Sequence, residues 1–523
     1  MARSIMFVGT ASNVGKSVLC TAFCRILHHD GFSVAPFKSQ NMSLNSAVTP
    51  SGREIGRAQA VQAEACGIFP NEHMNPVLLK PLGGMRSQII VQGLVYDTRS
   101  ARDYFLDRKE EIWEAVVESH RYLAERYDVI VIEGAGSPVE MNLKSREIAN
   151  MRTAEMAGAA VILVADIDRG GVFASVVGTL QLLEPHERAR VKGVIVNKFR
   201  GDSGLFAEGR RMLEEYAGVP VLGVIPYIQD LGIDEEDSVG LEADRYRAPG
   251  RLSPDRDLPA GAKSSEDSLR IAIVGLPHIA NFTDFDPLFL EPDVQAYFCR
   301  RPEETRGADA VILPGTKSTM GDLEWLWVNG WMDALRTARA DGVWLFGICG
   351  GYQMLGSRVY DPHLQEADSA ESSGLGVFDT VTTISAEKVT VLVNGELSGN
   401  FTGIPVAGYE IHMGQTVHGA ARCPFAQTRR VSDANSQMEG DANSQMEGDV
   451  SADGRTIGTY LHGIFHNDVF RTTWLNSIRR EKGMPELAGV SVSLQEVREG
   501  AYNHLETVVR AHLDLDYLYR LLD

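Results

Sequence analysis

Short apolar runs recur along the first half of the chain, each followed by a loop and then by a stretch with helical spacing. Hydrophobicity within these runs is continuous rather than alternating, which is typical of strands buried on both faces of a parallel sheet covered by helices. The pattern therefore predicts an α/β domain. Its expected strands are Ile5–Val8, Val34–Phe37, Val129–Ile132, Val161–Ala165, Val194–Val196 and Val221–Ile225.

A change of composition separates this half from a second one. Residues 240–268 are rich in Pro, Gly, Ser and charge and have no apolar period, which is typical of a linker. A second α/β series follows, with expected strands at Ile271–Val274, Val311–Leu313 and Val343–Phe346. Helical spacing over residues 494–522 indicates one or two amphipathic helices, which we expect to pack on the second domain. The predicted domains are residues 1–239 and 269–523.

Composition and charge limit the classes of protein. With a formal net charge of -20 the chain would repel phosphate backbones, so nucleic acid is not an expected partner. The six cysteines form no CxxC pair, which argues against a disulfide framework or a structural zinc site and favours reduced thiols. No apolar run approaches the roughly 20 residues that span a bilayer, and the apolar start is too short for a signal peptide. We therefore expect a cytoplasmic protein without a membrane partner, and no feature indicates an oligomeric state.

The octapeptide DANSQMEG occurs twice in succession, at residues 433–440 and 441–448. Each copy is too short and too polar to form a structural repeat with its own core. We expect an insertion in a surface loop, disordered and without a function of its own.

A phosphate-binding loop is predicted between the first strand and the first helical pattern. The stretch IMFVGTASNVGKS runs from the strand through a glycine-containing loop into the helix. Glycine lets successive backbone N–H groups turn toward phosphate oxygens, and the helix N-terminus adds partial positive charge. In this context the lysine reaches the outer phosphates of ATP and the serine hydroxyl binds Mg²⁺. The expected nucleotide contacts are Gly9, Thr10, Asn13, Val14, Gly15, Lys16 and Ser17.

The spacing of this loop, with five residues between Gly9 and Gly15, resembles the dethiobiotin synthetase and MinD-like branch of P-loop proteins. Polar residues that end neighbouring strands extend the site, because the carboxyl ends of parallel strands share one edge. The expected additions are Glu133 as a Mg²⁺ ligand, Lys38 for a carboxylate or its phosphorylated form, and Asn197 for a base edge. For Asp166 and Asp168, a functional role and a capping role remain equally open.

A second chemical site is predicted in VWLFGICGGYQML, where Cys349 has the nucleophile position of a G-x-nucleophile-x-G turn. The helix that follows favours a thiolate through its dipole and free N–H groups. The Gly350 N–H can stabilise a developing oxyanion, and a second donor is expected from Gly315 or Thr316 in LPGTKST. Gln353, in the same helix, is grouped with them as a glutamine-binding residue.

A thiolate nucleophile needs a base. His462, in GTYLHGIFHND, follows a short apolar strand downstream of the cysteine, as in class I glutaminases; His412 and His466 are the alternatives. Class I glutaminases usually have a carboxylate two residues after this histidine, where the chain has Ile464. The third member of the triad is therefore missing or comes from elsewhere, with a backbone carbonyl or Asp468 as candidates.

Eight strings resemble those of the cobyric acid synthase family of adenosylcobalamin biosynthesis: SQNMSLNS, IEGAGSPVEMNL, VADIDRGGVFAS, VNKFRGD, LPGTKST, GICGGYQMLG, GYEIHMG and GTYLHGIF. The resemblance covers nearly the whole chain except the linker and the octapeptide. It implies a P-loop domain followed by a class I glutamine amidotransferase-like domain, with ATP, Mg²⁺, glutamine and a corrinoid as ligands. It also implies amidation of the b, d, e and g carboxylates of adenosylcobyrinic acid a,c-diamide, with Cys349 as nucleophile, His462 as base and Glu133 as metal ligand.

Three alternatives remain open. The first is the earlier a,c-diamide synthase, which uses the same mechanism on another corrinoid acid. A MinD-like switch ATPase with an inactive glutaminase domain would carry a basic membrane-binding tail, whereas DLDYLYRLLD is acidic. The third is a glutaminase with a merely regulatory P-loop. For the amidating enzymes we also predict a path between the two sites that is shielded from water, because neither the acyl phosphate nor the released ammonia would remain available for the reaction in water.

Overall fold

The computed structural model describes residues 2–82, 86–100, 109–144, 147–228, 231–234, 268–420, 422–431 and 444–523. The predicted linker, apart from its last residue, lies outside these ranges, as does the first copy of the octapeptide. Across the described ranges, no helix combines the length and the apolar character needed to cross a membrane.

A six-stranded parallel sheet forms the centre of the first domain. The strands of this half are β1 (Arg3–Gly9), β2 (Val34–Phe37), β3 (Gln40–Met42), β4 (Ser46–Val48), β5 (Glu54–Gly56), β6 (Val77–Leu82), β7 (Arg86–Val91), β8 (Leu94–Ser100), β9 (Val129–Glu133), β10 (Ala160–Asp166), β11 (Val191–Phe199) and β12 (Val221–Pro226). The sheet has the order β12-β11-β10-β1-β9-β2, and every neighbouring pair is parallel. The six predicted strands are therefore confirmed, and the loop after the inner strand β1 lies at the carboxyl edge.

Helices cover this sheet: α1 (Lys16–His29), α2 (Arg57–Ala65), α3 (Lys109–Ala124), α4 (Met151–Met156), α5 (Val172–Leu182), α6 (Pro185–Arg188) and α7 (Ala207–Ala217). Between β2 and α3 the chain adds two features that the apolar runs did not predict. One is a small sheet of order β3-β6-β7-β8, and the other is the hairpin of β4 and β5. Both contact the second domain, as in the hydrogen bond from Gln88 Nε2 to Met413 Sδ at 3.3 Å.

The second domain contains two sheets. Its strands are β13 (Leu269–Val274), β14 (Val294–Cys299), β15 (Ala310–Leu313), β16 (Trp344–Ile348), β17 (Arg358–Tyr360), β18 (Glu371–Ser373), β19 (Thr380–Leu397), β20 (Pro405–His418), β21 (Ala426–Arg430), β22 (Ser444–Glu447), β23 (Asp449–Val450) and β24 (Thr456–Thr459). The order β14-β13-β15-β16-β24-β23 is parallel except for its last pair. A mixed sheet, β18-β17-β19-β21-β22 with β20 beside β19, faces the first domain.

The helices of this half are α8 (Asp286–Leu290), α9 (Thr319–Val328), α10 (Trp331–Ala340), α11 (Gly350–Leu355) and α12 (Asp468–Lys482), followed by α13 (Leu494–His512) and α14 (Leu515–Leu522). Short 3₁₀ turns occur at Glu72–Met74, Ser203–Phe206, Phe282–Phe285, Pro302–Thr305, Gly399–Phe401 and Ile464–His466. Helix α11 starts directly after β16, so the predicted strand–turn–helix around Cys349 is present.

The expected packing of the C-terminal helices on the second domain is wrong. Leu505 and Val509 of α13 and Leu518 of α14 join the buried cluster that contains Ile5 and Phe23 of the first domain. Charged contacts follow the same surface, for example Arg25 with Glu499 at 2.6 Å. Amphipathic spacing correctly predicted an apolar face, but α1 and β1 of the first domain, rather than the preceding domain, cover it.

The expected disorder of the duplicated octapeptide is wrong for the end of its second copy. Residues 444–447 form β22, which pairs with β21, whereas residues 433–443 lie outside the described residues. Glu447 is buried, where it accepts hydrogen bonds from Thr459 Oγ1 at 2.8 Å and from the backbone N–H of Tyr460 at 2.6 Å. The second copy therefore contributes a side chain that holds the chain just before His462.

Candidate active sites

The predicted phosphate loop connects β1 to α1. Asn13 (φ 60°) and Gly15 (φ 96°) have left-handed backbone conformations, which glycine adopts without strain. An added Cβ at Gly9 would lie 2.7 Å from the carbonyl oxygen of Ala11, so the loop folds tightly over its own start. Lys16 Nζ donates to the same Ala11 oxygen at 3.3 Å. The ammonium therefore lies over the loop, where outer phosphates bind in P-loop proteins.

Neighbouring strands hold this loop in place. The N–H of Thr10 donates to the carbonyl oxygen of Val164 in β10 at 2.9 Å. Asn197, at the end of β11, donates from Nδ2 to the carbonyl oxygen of Val14 at 2.8 Å. A Cβ at Gly15 would lie 2.1 Å from that nitrogen, so no larger residue fits. Asn197 therefore supports the loop, and its contact with a base edge stays a prediction.

The two aspartates after β10 are paired with cations. Asp166 Oδ2 lies 3.0 Å from Lys198 Nζ, and Asp168 Oδ1 lies 2.6 Å from Arg200 Nε. These ion pairs favour the structural role that the sequence had left open for both residues.

Glu133 ends β9 beside the loop and is fully buried. Its Oε1 accepts hydrogen bonds from Ser17 Oγ at 2.8 Å and Lys38 Nζ at 2.9 Å. Its Oε2 accepts one from Gln62 Nε2 at 2.6 Å. Ser17, Lys38 and Glu133 thus meet at one carboxyl edge. We had predicted them separately, from the loop and from the ends of two strands. Gln62, from α2, was missed because nothing in RAQAVQAEA marks a polar residue that faces inward.

Cys349 occupies the sharp turn between β16 and α11. Its φ of 53° and ψ of -108° are strained for a residue with a side chain, as expected of a nucleophile on such a turn. Its N–H donates to the carbonyl oxygen of Thr459 in β24 at 2.8 Å. A Cβ at Gly351 would lie 2.0 Å from the carbonyl oxygen of Leu313, which explains why the residue two positions after Cys349 is glycine.

His462 and Asp284 form a buried pair beside this thiol. His462 Nδ1 lies 2.7 Å from Asp284 Oδ2, and the N–H of Gly463 donates to Asp284 Oδ1 at 2.9 Å. Burial alone would lower the pKa of His462, but the charge and hydrogen bond of Asp284, with a contribution from Cys349, raise it to about 10. The imidazole is therefore held with Nδ1 on the carboxylate and Nε2 available to the thiol.

Asp284 supplies the carboxylate that we could not locate from the sequence. It lies in the 3₁₀ turn after β13, and neither its position nor its surroundings match a triad motif. Asp468, the carboxylate candidate from the sequence, instead pairs with Arg471 at 2.8 Å. Of the alternative bases, His466 contacts the carbonyl oxygen of Thr283 at 3.1 Å, and burial lowers its pKa to about 4.

The loops that contain the predicted oxyanion donors lie beside His462 and against each other. A Cβ at Gly315 would lie 2.8 Å from Cε1 of His462, so the LPGTKST loop touches the imidazole. A Cβ at Gly350 would lie 3.3 Å from the backbone nitrogen of Thr316. The LPGTKST loop and the start of α11 are therefore in close contact beside Cys349.

A small cavity of about 40 Å³ lies in front of Cys349 and His462. Gln353 lines it, donating from Nε2 to the hydroxyl of Tyr460 at 3.2 Å. His412, the other alternative base, lines it as well and stacks on Tyr460 at 4.0 Å between ring centroids.

Lys317 and Glu366 also line this cavity without an ion pair between them. In the described part of the chain, Lys317 Nζ has no hydrogen-bond partner. Burial lowers the pKa of Lys317 and raises that of Glu366 to about 7. The carboxylate of Glu366 accepts a hydrogen bond from the N–H of Met320 at 3.1 Å, so a ligand that carries both charges would add a partner for Lys317 and a counter-charge for Glu366.

The first domain reaches into the same cavity through Lys80. Lys80 Nζ lies 2.6 Å from Oε1 of the buried Glu54, whose Oε2 contacts Lys388 of the second domain. Although burial favours the neutral form of Glu54, its two lysine partners hold its pKa well below the usual range. Burial also lowers the pKa of Lys388, to about 7. This cluster, which the sequence did not indicate, joins the two domains beside the thiol.

Comparisons with known proteins agree with both halves of this picture. A family model described as a CobQ/CobB/MinD/ParA nucleotide binding domain matches residues 5–239, and one described as a CobB/CobQ-like glutamine amidotransferase domain matches residues 270–470. Proteins named cobyric acid synthase from Dehalococcoides mccartyi, Salmonella heidelberg and Yersinia enterocolitica are each 45% identical over 529 aligned residues. The alignments cover 100% of this chain and 99%, 99% and 98% of those proteins. At this identity and coverage, the chain belongs to the cobyric acid synthase family of glutamine amidotransferase ligases.

Proposed function

We propose that this protein uses ATP and glutamine to amidate the b, d, e and g carboxylates of adenosylcobyrinic acid a,c-diamide, giving adenosylcobyric acid. The observation that carries the proposal is the presence, in one chain of this family, of a buried cysteine–histidine–aspartate set and a P-loop with a carboxylate at its edge. Such a pair of sites suits a reaction in which one half releases ammonia and the other activates the acceptor.

In the glutaminase half, Cys349 is the nucleophile and His462 the base, with Asp284 as the positioning residue. The thiolate attacks the amide carbon of glutamine, and the N–H groups of Gly350 and Thr316 stabilise the oxyanion. The imidazolium then protonates the leaving nitrogen, so that ammonia departs and a thioester remains. Water hydrolyses the thioester to glutamate and regenerates the thiol.

Glutamine itself enters as a zwitterion. We propose that Lys317 binds its α-carboxylate and Glu366 its α-ammonium, because both side chains line the cavity and no ion pair joins them. Gln353 lines the cavity and Gly315 lies against His462, so both would surround the side-chain amide of the substrate. This arrangement would select an α-amino acid over a simple amide.

In the synthase half, the phosphate loop fits a nucleotide and its divalent ion. Ser17 Oγ and Glu133 Oε1, 2.8 Å apart, are the oxygen ligands that Mg²⁺ prefers, and they would hold this ion, which would offset the charge of the phosphates. Lys16 binds the outer phosphates, and Lys38 holds the acceptor carboxylate against them. A carboxylate is unreactive toward ammonia, so its oxygen first attacks the γ-phosphorus of ATP, the bond to the bridging oxygen breaks, and ADP leaves. Ammonia then attacks the acyl carbon, the bond to phosphate breaks, and the phosphate takes the released proton.

We further propose that residues 1–239 and 269–523 carry these two reactions and that residues 240–268 join them, with α13 and α14 returning to the first domain. A cytoplasmic location suits the family chemistry and the six cysteines, none of which forms a disulfide.

The experiment is the Cys349→Ala variant, assayed for amidation of the a,c-diamide by mass spectrometry with glutamine or with ammonium. We expect no product with glutamine and normal product with ammonium, whereas Cys423→Ala, at an exposed cysteine, should retain both activities. If wild-type enzyme hydrolyses ATP but leaves the diamide untouched, the substrate is wrong; cobyrinic acid, the acceptor of the earlier synthase, is then the next compound to assay. Consumption of one ATP per amide would exclude a merely regulatory P-loop.

A further inference from the structure

An unusual run of buried amide and hydroxyl side chains begins at the thiol cavity. Asn281 lines that cavity, with its Nδ2 3.5 Å from His462 Nε2. Its Oδ1 accepts a hydrogen bond from the backbone N–H of Ser46 in β4 at 2.9 Å. The first polar step away from the glutaminase centre is therefore a direct contact with the first domain.

The run continues across the hairpin of β4 and β5. Ser46 is paired with Gly56, and three polar side chains crowd the Cα of that glycine. An added Cβ at Gly56 would lie 2.6 Å from Asn41 Nδ2, 3.0 Å from Gln59 Oε1 and 3.1 Å from Asn75 Oδ1. These side chains are buried, so the absence of a side chain at position 56 leaves room for this polar contact within the protein.

The run ends at the nucleotide edge. Gln59 and Gln62 are three positions apart in α2 and so lie on the same face of that helix. Gln62 Nε2 donates to Glu133 Oε2 at 2.6 Å. The buried residues that join the two candidate sites, named here the polar seam, are Asn281, Ser46, Asn41, Asn75, Gln59 and Gln62.

Two atoms of the seam have no partner in the part of the chain that the structure describes: Gln59 Nε2 and Gln62 Oε1. Both residues are 0% exposed, and buried polar groups are nearly always hydrogen-bonded. Asn41 Oδ1 accepts from the N–H of Met42, so its Nδ2 must face Gln59 and leave Gln59 Nε2 free. The carboxylate of Glu133 likewise fixes Gln62 with its oxygen free. The seam thus offers one unused donor and one unused acceptor on the same helix face.

We propose that the polar seam conducts ammonia from Cys349 to the acyl phosphate beside Glu133, with Gln59 and Gln62 as its binding station. Ammonia has one lone pair for the Gln59 donor and three N–H groups for the Gln62 acceptor. None of the six seam side chains is ionised, and the ammonium of Lys80, which donates to Ser46 Oγ at 2.8 Å, disfavours a second cation. The nitrogen therefore travels as the neutral nucleophile. This inference rests on the proposed function.

Gly56→Ala tests the route. The backbone at this position (φ -62°, ψ 140°) accepts any residue, whereas the new methyl group would obstruct the seam. Gly178→Ala is the matched control, because a Cβ there meets nothing within 4 Å. The readouts are the ratio of glutamate released to amide formed, the rate with ammonium, and incorporation of ¹⁵N from labelled ammonium in the presence of glutamine.

For Gly56→Ala we expect a ratio raised severalfold above that of wild type, with more solvent ¹⁵N in the product and a near-normal rate with ammonium. Gly178→Ala should match wild type. Gln59→Leu, which removes the free donor, should raise the ratio in the same direction. An unchanged ratio in both seam variants would overturn the proposal, whether or not the overall rates fall, because a purely structural or water-binding niche does not affect coupling. If wild type makes no amide from either nitrogen source, the proposed function fails before the route is tested.

Discussion

Asp284 Oδ2 lies 2.7 Å from His462 Nδ1, although the two residues are 178 positions apart in the chain. The same carboxylate binds the N–H of Gly463, so it fixes both the ring and the backbone of the histidine. In the proposed triad the carboxylate therefore does not lie two residues after the base. Here a turn after the first strand of the domain takes over that position.

Asp284→Asn should slow glutamine hydrolysis by about 10²–10⁴-fold, because the imidazole loses its orientation and its charge partner. Amidation with ammonium should be unaffected, since the synthase half does not use this pair. The assay compares both nitrogen sources. Asp468→Asn is the control: it should keep the glutaminase rate, and a comparable loss there would contradict the assignment of Asp284.

The same pair predicts a pH dependence of stability. The pKa of His462 is raised to about 10 from an ordinary value of about 6.5, so the folded state favours the charged ring. This contribution is fully present below about pH 6.5 and is lost as the pH rises through about 10. The difference in Tm between wild type and Asp284→Asn should therefore shrink from pH 6 to pH 10 in thermal melts. A constant difference would mean that the charge of His462 does not contribute.

The buried parallel strands were predictable because a strand formed by a continuous apolar run such as Val129–Ile132 must be buried on both faces, as in the centre of a sheet covered by helices. The mixed sheet of the second domain was not, because long strands such as Thr380–Leu397 are half-exposed and mostly polar. Amphipathic spacing likewise predicts an apolar face in α13 but contains no information on which domain covers it.

The site was predictable where local geometry dictates chemistry, as in the turn of Cys349 and the loop of Lys16. It was not predictable where distant segments meet. Glu54, Lys80 and Lys388 lie in three separate strands, and their cluster exists only because the domains dock. A buried charge in one segment gives no signal of its partner in another.

Glu54→Gln should destabilise the protein by about 3–5 kcal/mol, because two buried lysines lose their counter-charge. Urea unfolding measures the change. Glu371→Gln, which removes an exposed partner of Arg358, should change stability by less than about 1 kcal/mol. Since the pKa of Glu54 is depressed, its contribution is present above the ordinary glutamate pKa and is lost as the pH falls. Equal, small effects of both variants would argue that the cluster does not hold the domains together.

Lys317→Met should raise the KM for glutamine about 10–100-fold, the usual effect of losing one charged contact in a buried site. The rate with ammonium should stay normal, because the α-carboxylate of glutamine has no counterpart there. Steady-state kinetics with both nitrogen sources separate these effects. Lys192→Met, at a half-buried lysine in β11 of the first domain, should leave both parameters unchanged; an unaltered KM in Lys317→Met would refute the zwitterion site.

Glu133→Gln tests the nucleotide edge and also decides the role of Asp168. A neutral amide keeps the shape of Glu133 but no longer attracts a divalent ion, so amidation should fall at least about 10²-fold with either nitrogen source. Glutamine hydrolysis should persist, because Cys349 and His462 belong to the other domain. Asp168→Asn should retain amidation, since Asp168 is paired with Arg200 at the surface. If Asp168→Asn abolishes amidation while Glu133→Gln does not, the metal ligand lies on β10 rather than β9, and the assignment at this edge must be exchanged.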